Sequence, residues 1–420
     1  FMEKSIYSCI DLKSFYASVE AAERKLDPFK ENLVVADPSR GRGAICLAVT
    51  PAMKSLGIKN RCRLFEIPET VTYITAKPRM KLYMEYSARI YSIYLNYVSK
   101  EDIHVYSIDE CFLDFTPYLH TYGKTPKEMA VMLMDAVRRE TGICATAGIG
   151  TNLFLAKVAL DITAKHSPDH IGYLDEKEFK RTIWHHRPIT DIWNIGKGIA
   201  ARLSRYGIYD LYGTAHMDEK LLYKEFGVNA EFLIDHAHGR EPCTIKEIHD
   251  YESKSHSVSQ SQILFEDYSY DNALLVLKEM TDALALELRS RHLTTDSISM
   301  SVAYSKRELP PSGGTRKLSE RTDSYRELSH EFERFYHQTV QRGIPIRKIS
   351  VGANHVEETS FRQLHLFSDM EKDEKEQHLQ DAVLSIKHRF GKNAVVRGMS
   401  LCEKATARKR NTLIGGHNES

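Results

Sequence analysis

The chain has 420 residues and a mass of 48.2 kDa, too long for one ordinary core and suited to two to four domains that can enclose a cleft. Its composition, 42% hydrophobic and 27% charged with no apolar run near the roughly 18 residues a bilayer span needs, indicates a soluble globular protein and excludes a membrane-embedded one. A formal net charge of +1 gives no global attraction to nucleic acid, so such a partner must be gripped by local basic patches. The seven cysteines are odd in number and lack CxxC spacing, which argues for free thiols in a reducing cytosol and against a zinc site. Phe1 in front of Met2 is not a natural start and is set aside, and no secretory segment opens the chain.

In chain order, a short apolar strand through Ile6, Ser8 and Ile10 gives way after Asp11 to a helix beginning near Ser14. Between Asn32 and Lys59 the pattern predicts a strand, a Gly-rich turn (Ser39-Arg40-Gly41-Arg42-Gly43-Ala44) and a helix with Thr50 as N-cap and Pro51 at its first position. The alternating runs Ile103 to Ile108 and Cys111 to Phe115 read as a hairpin, followed by a helix from Thr125 to Glu140 and a strand from Ala145 to Gly150. A helix from Asn152 to Lys165 carries Leu153, Ala156, Leu160 and Thr163 at helical spacing. This first lobe is an α+β core around an antiparallel sheet. Ile192 to Leu203 reads as helix, glycine turn and helix, with Gly196, Lys197 and Gly198 in the turn. From Lys254 to Val356 a second small α/β lobe follows, with helices Tyr270 to Arg289 and Ser324 to Gln341 and strands at Ser297 to Tyr304, Arg316 to Leu318 and Ile346 to Ala353. In the tail, Leu379, Val383, Ile386 and Phe390 share one helical face, a pattern usually explained by packing, with Gly391 as C-cap. Breaks near residues 166–169, 239–250 and 355–361 mark domain boundaries.

Two acidic clusters stand out: Asp11 at the end of the first strand, and Asp109-Glu110 at the hairpin tip. If the two strand ends meet, three carboxylates converge, and such a cluster can hold a pair of divalent ions for in-line phosphoryl transfer, with Asp11 and Asp109 bridging. On spacing alone a second reading stands beside this one, in which Asp11 caps the helix and Asp109-Glu110 is a polar turn.

The segments Ile10-Asp11-Leu12-Lys13-Ser14-Phe15-Tyr16-Ala17-Ser18-Val19-Glu20 and Ser107-Ile108-Asp109-Glu110 closely resemble the two signature motifs of the Y-family translesion DNA polymerases, UmuC/DinB-like and nearest the bacterial UmuC type. The resemblance extends from about residue 5 to about residue 355. It implies a multidomain right hand: a ferredoxin-like antiparallel palm (residues 2–27 and 79–168), small fingers (28–78), a helix-hairpin-helix thumb (169–242), an α/β little finger (250–356) and a clamp-binding tail (357–420). It implies two Mg2+ ions held by Asp11, Asp109, Glu110 and the backbone carbonyl of Leu12. Tyr16, next to Phe15, matches the aromatic gate that excludes a ribose 2′-OH; Gly43 and Ala44 match the small residues against the nascent base pair. Lys54 and Lys165 match basic residues that contact the dNTP triphosphate, although Thr50-Pro51 departs from the family pattern where a tyrosine usually stands. Primer-template DNA would be held by the Gly196-Lys197-Gly198 turn and by Lys254, Ser255, Ser257, Arg316 and Lys317. Gln363-Leu364-His365-Leu366-Phe367 closely resembles the pentapeptide that binds the bacterial sliding clamp, with Gln363, Leu364, Leu366 and Phe367 as contacts. Some UmuC-type relatives also take accessory subunits of the SOS response. The expected activity is template-directed extension of a primer past damaged bases, in the cytoplasm. Two rivals belong to other classes: a palm-type nucleotide cyclase, which would make product without a primer, and a non-catalytic scaffold for clamp and DNA, which would incorporate nothing.

Overall fold

The computed structural model describes residues 5–254, 256–306, 308–359 and 370–420. They divide into two compact units, one ending at Tyr251 and the other covering Glu252–Glu419.

The first unit is built on a five-stranded sheet. Its central strand β1 (Tyr7–Leu12) is followed by helix α1 (Phe15–Glu23). Ser14 between them adopts φ 47°, a left-handed conformation that turns strand into helix within two residues. A small three-stranded sheet comes next, made of β2 (Leu33–Val35), β3 (Ala48–Val49) and, after helix α2 (Pro51–Ser55), β4 (Ile74–Ala76). Helix α3 (Met80–Leu95) leads to the hairpin β5 (Ile103–Val105) and β6 (Glu110–Asp114), then to α4 (Thr116–Tyr122), α5 (Pro126–Thr141) and β7 (Ala145–Gly150). Thr125 and Glu128 close a reciprocal capping box at the start of α5, and Gly142 ends it at φ 74°. Helix α6 (Leu153–Val158) and strand β8 (Ile171–Leu174) complete the core.

The sheet order is β5-β6-β1-β7-β8. The four strands β5, β6, β1 and β7 are antiparallel, the ferredoxin-like arrangement expected from the sequence, but β8 adds a parallel edge beside β7. What lies on this sheet explains its glycines. The chain after α6 widens into a π-helical turn (Ala159–Thr163) and then a 3-10 turn (Ala164–His166), so the single helix expected from Asn152 to Lys165 has three parts. That backbone lies directly on β7 and β8: a Cβ on Gly148 would overlap Ala156 O and Leu160 N, and one on Gly150 would overlap Ala156 N.

Glu20, fully buried on α1, ties α1 to α3. It accepts from Arg79 Nε (3.0 Å) and Nη2 (2.7 Å), from Tyr83 Oη (2.7 Å) and from Arg24. Burial alone would raise its pKa, but the bonds from Arg79, Tyr83 and Arg24 outweigh it and hold the carboxyl below the usual range.

Helices α7 (Glu176–Thr182), α8 (Lys197–Ser204), α9 (Leu211–His216), α10 (Glu219–Phe226) and α11 (Ala230–Ala237) bury Phe179, Leu203, Leu211, Leu222 and Leu233 against Phe154, Leu155 and Val158 of α6. Helix α12 (Ile245–Asp250) returns to the sheet, where Ile245 packs with Tyr7, Cys9 and Phe112.

The second unit is a four-stranded sheet, β9 (Val258–Tyr268), β10 (Leu293–Tyr304), β11 (Ser312–Thr322) and β12 (Ile346–Asn354), in the order β11-β10-β12-β9, with helices α13 (Tyr270–Ser290) and α14 (Tyr325–Thr339) on one face. Ile298, Met300, Val302, Ile349 and Val351 point toward Val276, Leu277, Met280 and Phe332 in one apolar core. The strands outrun the short runs read from the sequence because their other face is polar, which masks the hydrophobic signal. The two-residue strand β13 (Glu357–Glu358) pairs with β10. The tail belongs to this unit: after helix α15 (Met370–Phe390), the amides of Thr406 (2.8 Å) and Ala407 (3.1 Å) donate to the buried Glu279 carboxylate, and Arg397 pairs with Asp282 (2.6 Å). On α15 the apolar stripe read as a packing face is largely open, with Leu379 60% and Phe390 67% exposed.

The contact of β7 with the α6 backbone predicts that Gly148→Ala costs about 3 kcal/mol, read as a lower urea midpoint at unchanged slope. Gly398→Ala, where a Cβ meets nothing within 4 Å, should stay within about 0.5 kcal/mol of the parent. Equal losses would contradict the close packing.

Candidate active site

Strand pairing brings the two acidic clusters together. Asp11 of β1 is the direct cross-strand partner of Glu110 of β6, and the Leu12 amide donates to the Asp109 carbonyl at 2.9 Å. Residues directly opposite in an antiparallel pair share a face with closely spaced Cβ atoms, so the carboxylates meet at the end of β1 although about a hundred residues separate them in sequence. The hairpin tip is pinned from several sides: Ser107 Oγ donates to Asp109 Oδ1 (2.8 Å), Ser87 Oγ to the Ile108 carbonyl (2.5 Å), and Tyr106 N to the Glu110 carbonyl (2.9 Å).

The cost of this crowding shows in Asp11. Burial, then the charges of Asp109 and Glu110, push its pKa up to about 8 against the pull of Lys157. Lys157, buried on α6, pairs with Glu110 and with Asp161 (2.9 Å), and its ammonium lies 5.8 Å from the Tyr106 ring centre. The sequence reading passed over Lys157; a lysine inside an otherwise apolar helix, four residues before an aspartate, was the available signal. Asp11, Asp109 and Glu110 form an oxygen-only donor set with excess negative charge, which suits a hard divalent cation. Among the described residues no three acidic, histidine or cysteine side chains stand as a ready ligand cluster, and one oxygen of Glu110 is committed to Lys157.

Around the carboxylates lie cations. Lys54, on α2, is held below its usual range, chiefly by the protein atoms that displace water around it; Asp11 and Asp109 oppose the shift and Lys165 adds to it, so Lys54 stands near the acidic pair and Lys165 stands near Lys54. Lys13, also shifted down mainly by burial, is a third cation there that the sequence reading did not assign. Tyr16 faces the same place: burial and then the Asp109 charge raise its hydroxyl. Its ring stacks on Tyr83 at 4.5 Å and 19°, and Phe15 lies 5.8 Å away, buried beneath the helix.

Several expected residues sit differently. Thr50 begins α2 but its hydroxyl does not cap it; it donates to the Glu31 carbonyl (2.8 Å) and accepts from Leu33 N (3.1 Å), anchoring β2. Gly43 is open, whereas the Ala44 methyl is buried with Val34, Val49 and Met53, so only the glycine offers a bare surface. The turn at Gly196-Lys197-Gly198 is exposed and starts α8, but a short 3-10 turn (Ile189–Asp191) replaces the first helix, and Asn194 at φ 68°, not a glycine, takes the left-handed conformation. Trp193 beside it donates to Tyr106 Oη at 3.0 Å, linking this turn to the acidic hairpin.

In the second unit, the sheet face away from the helices carries Ser259, Ser261, Ser299, Ser301, Ser350 and Thr315, with exposed Lys317 and Lys348. Ser257 precedes β9 in the same alternation, and Lys254 is exposed before it. Arg316 is on the opposite face: its guanidinium lies 4.2 Å from the Phe335 ring centre and donates to Gln338 at 2.5 Å, a one-residue consequence of strand alternation that leaves Lys348 as the basic residue missed from sequence. Ser255 and the segment Gln363, Leu364, Leu366 and Phe367 lie outside the described residues.

Comparison with known proteins identifies the family and the fold. Residues 10–161 match the model of the impB/mucB/samB family, and residues 255–366 match its C-terminal domain. The putative UV-damage repair protein UvrX of Bacillus subtilis (strain 168) is 34% identical over 99% of this chain and 98% of its own length, and DNA polymerase IV 2 of the same organism is 30% identical over 99% of each. A solved Y-family DNA polymerase chimera, Dbh-Dpo4(243-245)-Dbh, superposes with a TM-score of 0.65 at 20% identity, covering 84% of this chain and all of that one, and shares the fold. Family models spanning both units and relatives aligned end to end place this chain in the impB/mucB/samB family, the UmuC/DinB-like Y-family polymerases.

Proposed function

We propose that this chain is a template-directed DNA polymerase of the translesion class, which extends a primer past damaged template bases with deoxynucleoside triphosphates. One observation carries the reading: Asp11, Asp109 and Glu110 gather at a strand end near Lys54 and Tyr16, with Lys165 near Lys54. A site acidic at its centre and basic at its rim suits a metal-bound triphosphate and suits no uncharged substrate.

Asp11, Asp109 and Glu110, with the Leu12 carbonyl, would hold two Mg2+ ions; when bound, such ions lower the pKa of the primer 3′-OH and neutralise triphosphate charge. The chain's own groups do the positioning. Lys54 and Lys165, joined by Lys13, draw the triphosphate toward the carboxylates so that the 3′-OH attacks the α-phosphate and pyrophosphate leaves. Tyr16, backed by Tyr83, lies where a sugar would rest and excludes a 2′-OH. Gly43 leaves room for a distorted base pair. Duplex backbone is held at the Gly196-Lys197-Gly198 turn, whose free amides open α8, and on the hydroxyl-rich sheet face of the second unit through Lys254, Ser257, Lys317 and Lys348. Gln363 to Phe367 supplies the sliding-clamp contact, and the protein works in the cytoplasm, with SOS accessory subunits as in some UmuC-type relatives.

Asp109→Ala should lower primer extension by about 1,000-fold while leaving duplex affinity within about twofold, because only the chemical step loses its charge stabilisation. Normal extension by this variant refutes the site. Tyr16→Ala should raise ribonucleotide use relative to deoxyribonucleotide use by about 100-fold, measured as the ratio of kcat/KM values; an unchanged ratio removes the gate. Replacing Lys317 and Lys348 together by alanine should flatten the dependence of log K on log salt by about one unit per lysine, while Arg316→Ala leaves the slope as it was. The reverse pattern would return the interface to the helix-covered face.

A further inference from the structure

Beside the small sheet of the first unit, an isolated β-bridge brings together two cysteines that polymerase chemistry does not use. Ile45 and Arg63 form an antiparallel bridge, and the next rung brings Cys46 opposite Cys62: the Cys46 amide donates to the Cys62 carbonyl at 2.8 Å, and the Arg61 amide donates to the Cys46 carbonyl at 2.8 Å. Arg61, at φ 64°, is the extra residue of a bulge, which leaves Cys62 facing Cys46 across the pair. Residues opposed in a hydrogen-bonded rung have Cα atoms about 5.5 Å apart with side chains on one face, inside the roughly 4.4–6.8 Å window for a disulfide. Both side chains belong to the same apolar cluster, with Val34, Val49, Met53 and Leu64. Cys46 is fully buried and Cys62 partly buried.

We infer that Cys46 and Cys62 form an oxidative modification site at which a hydroperoxide closes the dithiol to a reversible intramolecular disulfide. The step balances with hydrogen peroxide alone. The Cys62 thiolate attacks one peroxide oxygen and the O–O bond breaks; Cys62 becomes a sulfenic acid, and the departing hydroxide takes up the thiol proton as water. The Cys46 sulfur then attacks the Cys62 sulfur; the S–S bond forms, the S–O bond breaks, and the hydroxyl leaves with the Cys46 proton as a second water. Two thiols lose two electrons and one peroxide is reduced to two waters.

The order of attack follows from the surroundings. Burial, with the neighbouring Cys62, pushes the Cys46 thiol up to about 12, so Cys46 waits as the thiol while Cys62, the more accessible of the two, meets the oxidant. The link would fasten a junction already held by Leu64 N to the Ala44 carbonyl (3.0 Å) and Arg63 Nη1 to the Gly43 carbonyl (2.7 Å). Oxidation would therefore stiffen the turn that carries Gly43. None of this rests on the polymerase reading.

The test treats the full chain with graded hydrogen peroxide, blocks remaining thiols with N-ethylmaleimide, and maps peptides by mass spectrometry without reduction. The expected result is a peptide joining Cys46 to Cys62 and a loss of two of the seven thiols counted after denaturation, both reversed by dithiothreitol. In Cys46→Ser the link is absent and dimedone labels Cys62 as a sulfenic acid. Passage of Cys62 in the parent chain to sulfinic acid, or oxidation confined to the exposed Cys402, with no joined peptide, overturns the inference.

Discussion

The pairing of β1 with β6 is the constraint on which the active site depends. Because Asp11 and Glu110 are register partners, every hydrogen bond of that ladder also fixes the separation of two carboxylates, and the Leu12 amide bound to the Asp109 carbonyl brings in the third. A slip of one residue would send Asp11 to the other face of the sheet. Cys9, Ile10, Phe112 and Leu113, all buried, make such a slip expensive, so the stability of the core and the geometry of the site are the same fact seen twice.

Collecting like charge at the end of a buried strand works against folding, and the molecule offsets it locally. Lys157 reaches from α6 to Glu110 and Asp161, and the π-helical turn after Val158 lies against β7 and β8 through contacts that only glycine permits. Asp11 remains strained electrostatically, with its carboxyl pushed up to about 8. This is the usual signature of a place meant to receive cations, where function rather than stability sets the charge. Tyr16 is braced in a comparable way, since its stacking partner Tyr83 is itself tied to the buried Glu20.

Much of this was legible in the chain. The alternation of Ile103 to Phe115 and the run Ala145 to Gly150 located the hairpin and its neighbouring strand, because half-buried or central strands leave a period in the sequence. The family likeness of residues 10–20 and 107–110 pointed to the two acidic clusters that β1 and β6 bring together. Other features depend on tertiary context and left no local mark. Thr50 looks like a helix cap but spends its hydroxyl on Glu31 and Leu33; Arg316 and Lys317 are equally basic in sequence, yet alternation sends one under α14 and the other to the open face. The parallel edge strand β8 is short and the parallel pairing gives no pattern of its own. Ala44 and the stripe on α15 show the same limit from opposite sides, since small size did not mean exposure and apolar periodicity did not mean burial.

The most direct test of the central claim is to locate bound manganese by anomalous scattering in crystals of the chain with primer-template DNA and an incoming nucleotide. The account predicts two peaks within ligating distance of the Asp11 and Asp109 carboxylates. Manganese bound elsewhere, or a single ion that contacts only one of these two side chains, would contradict it.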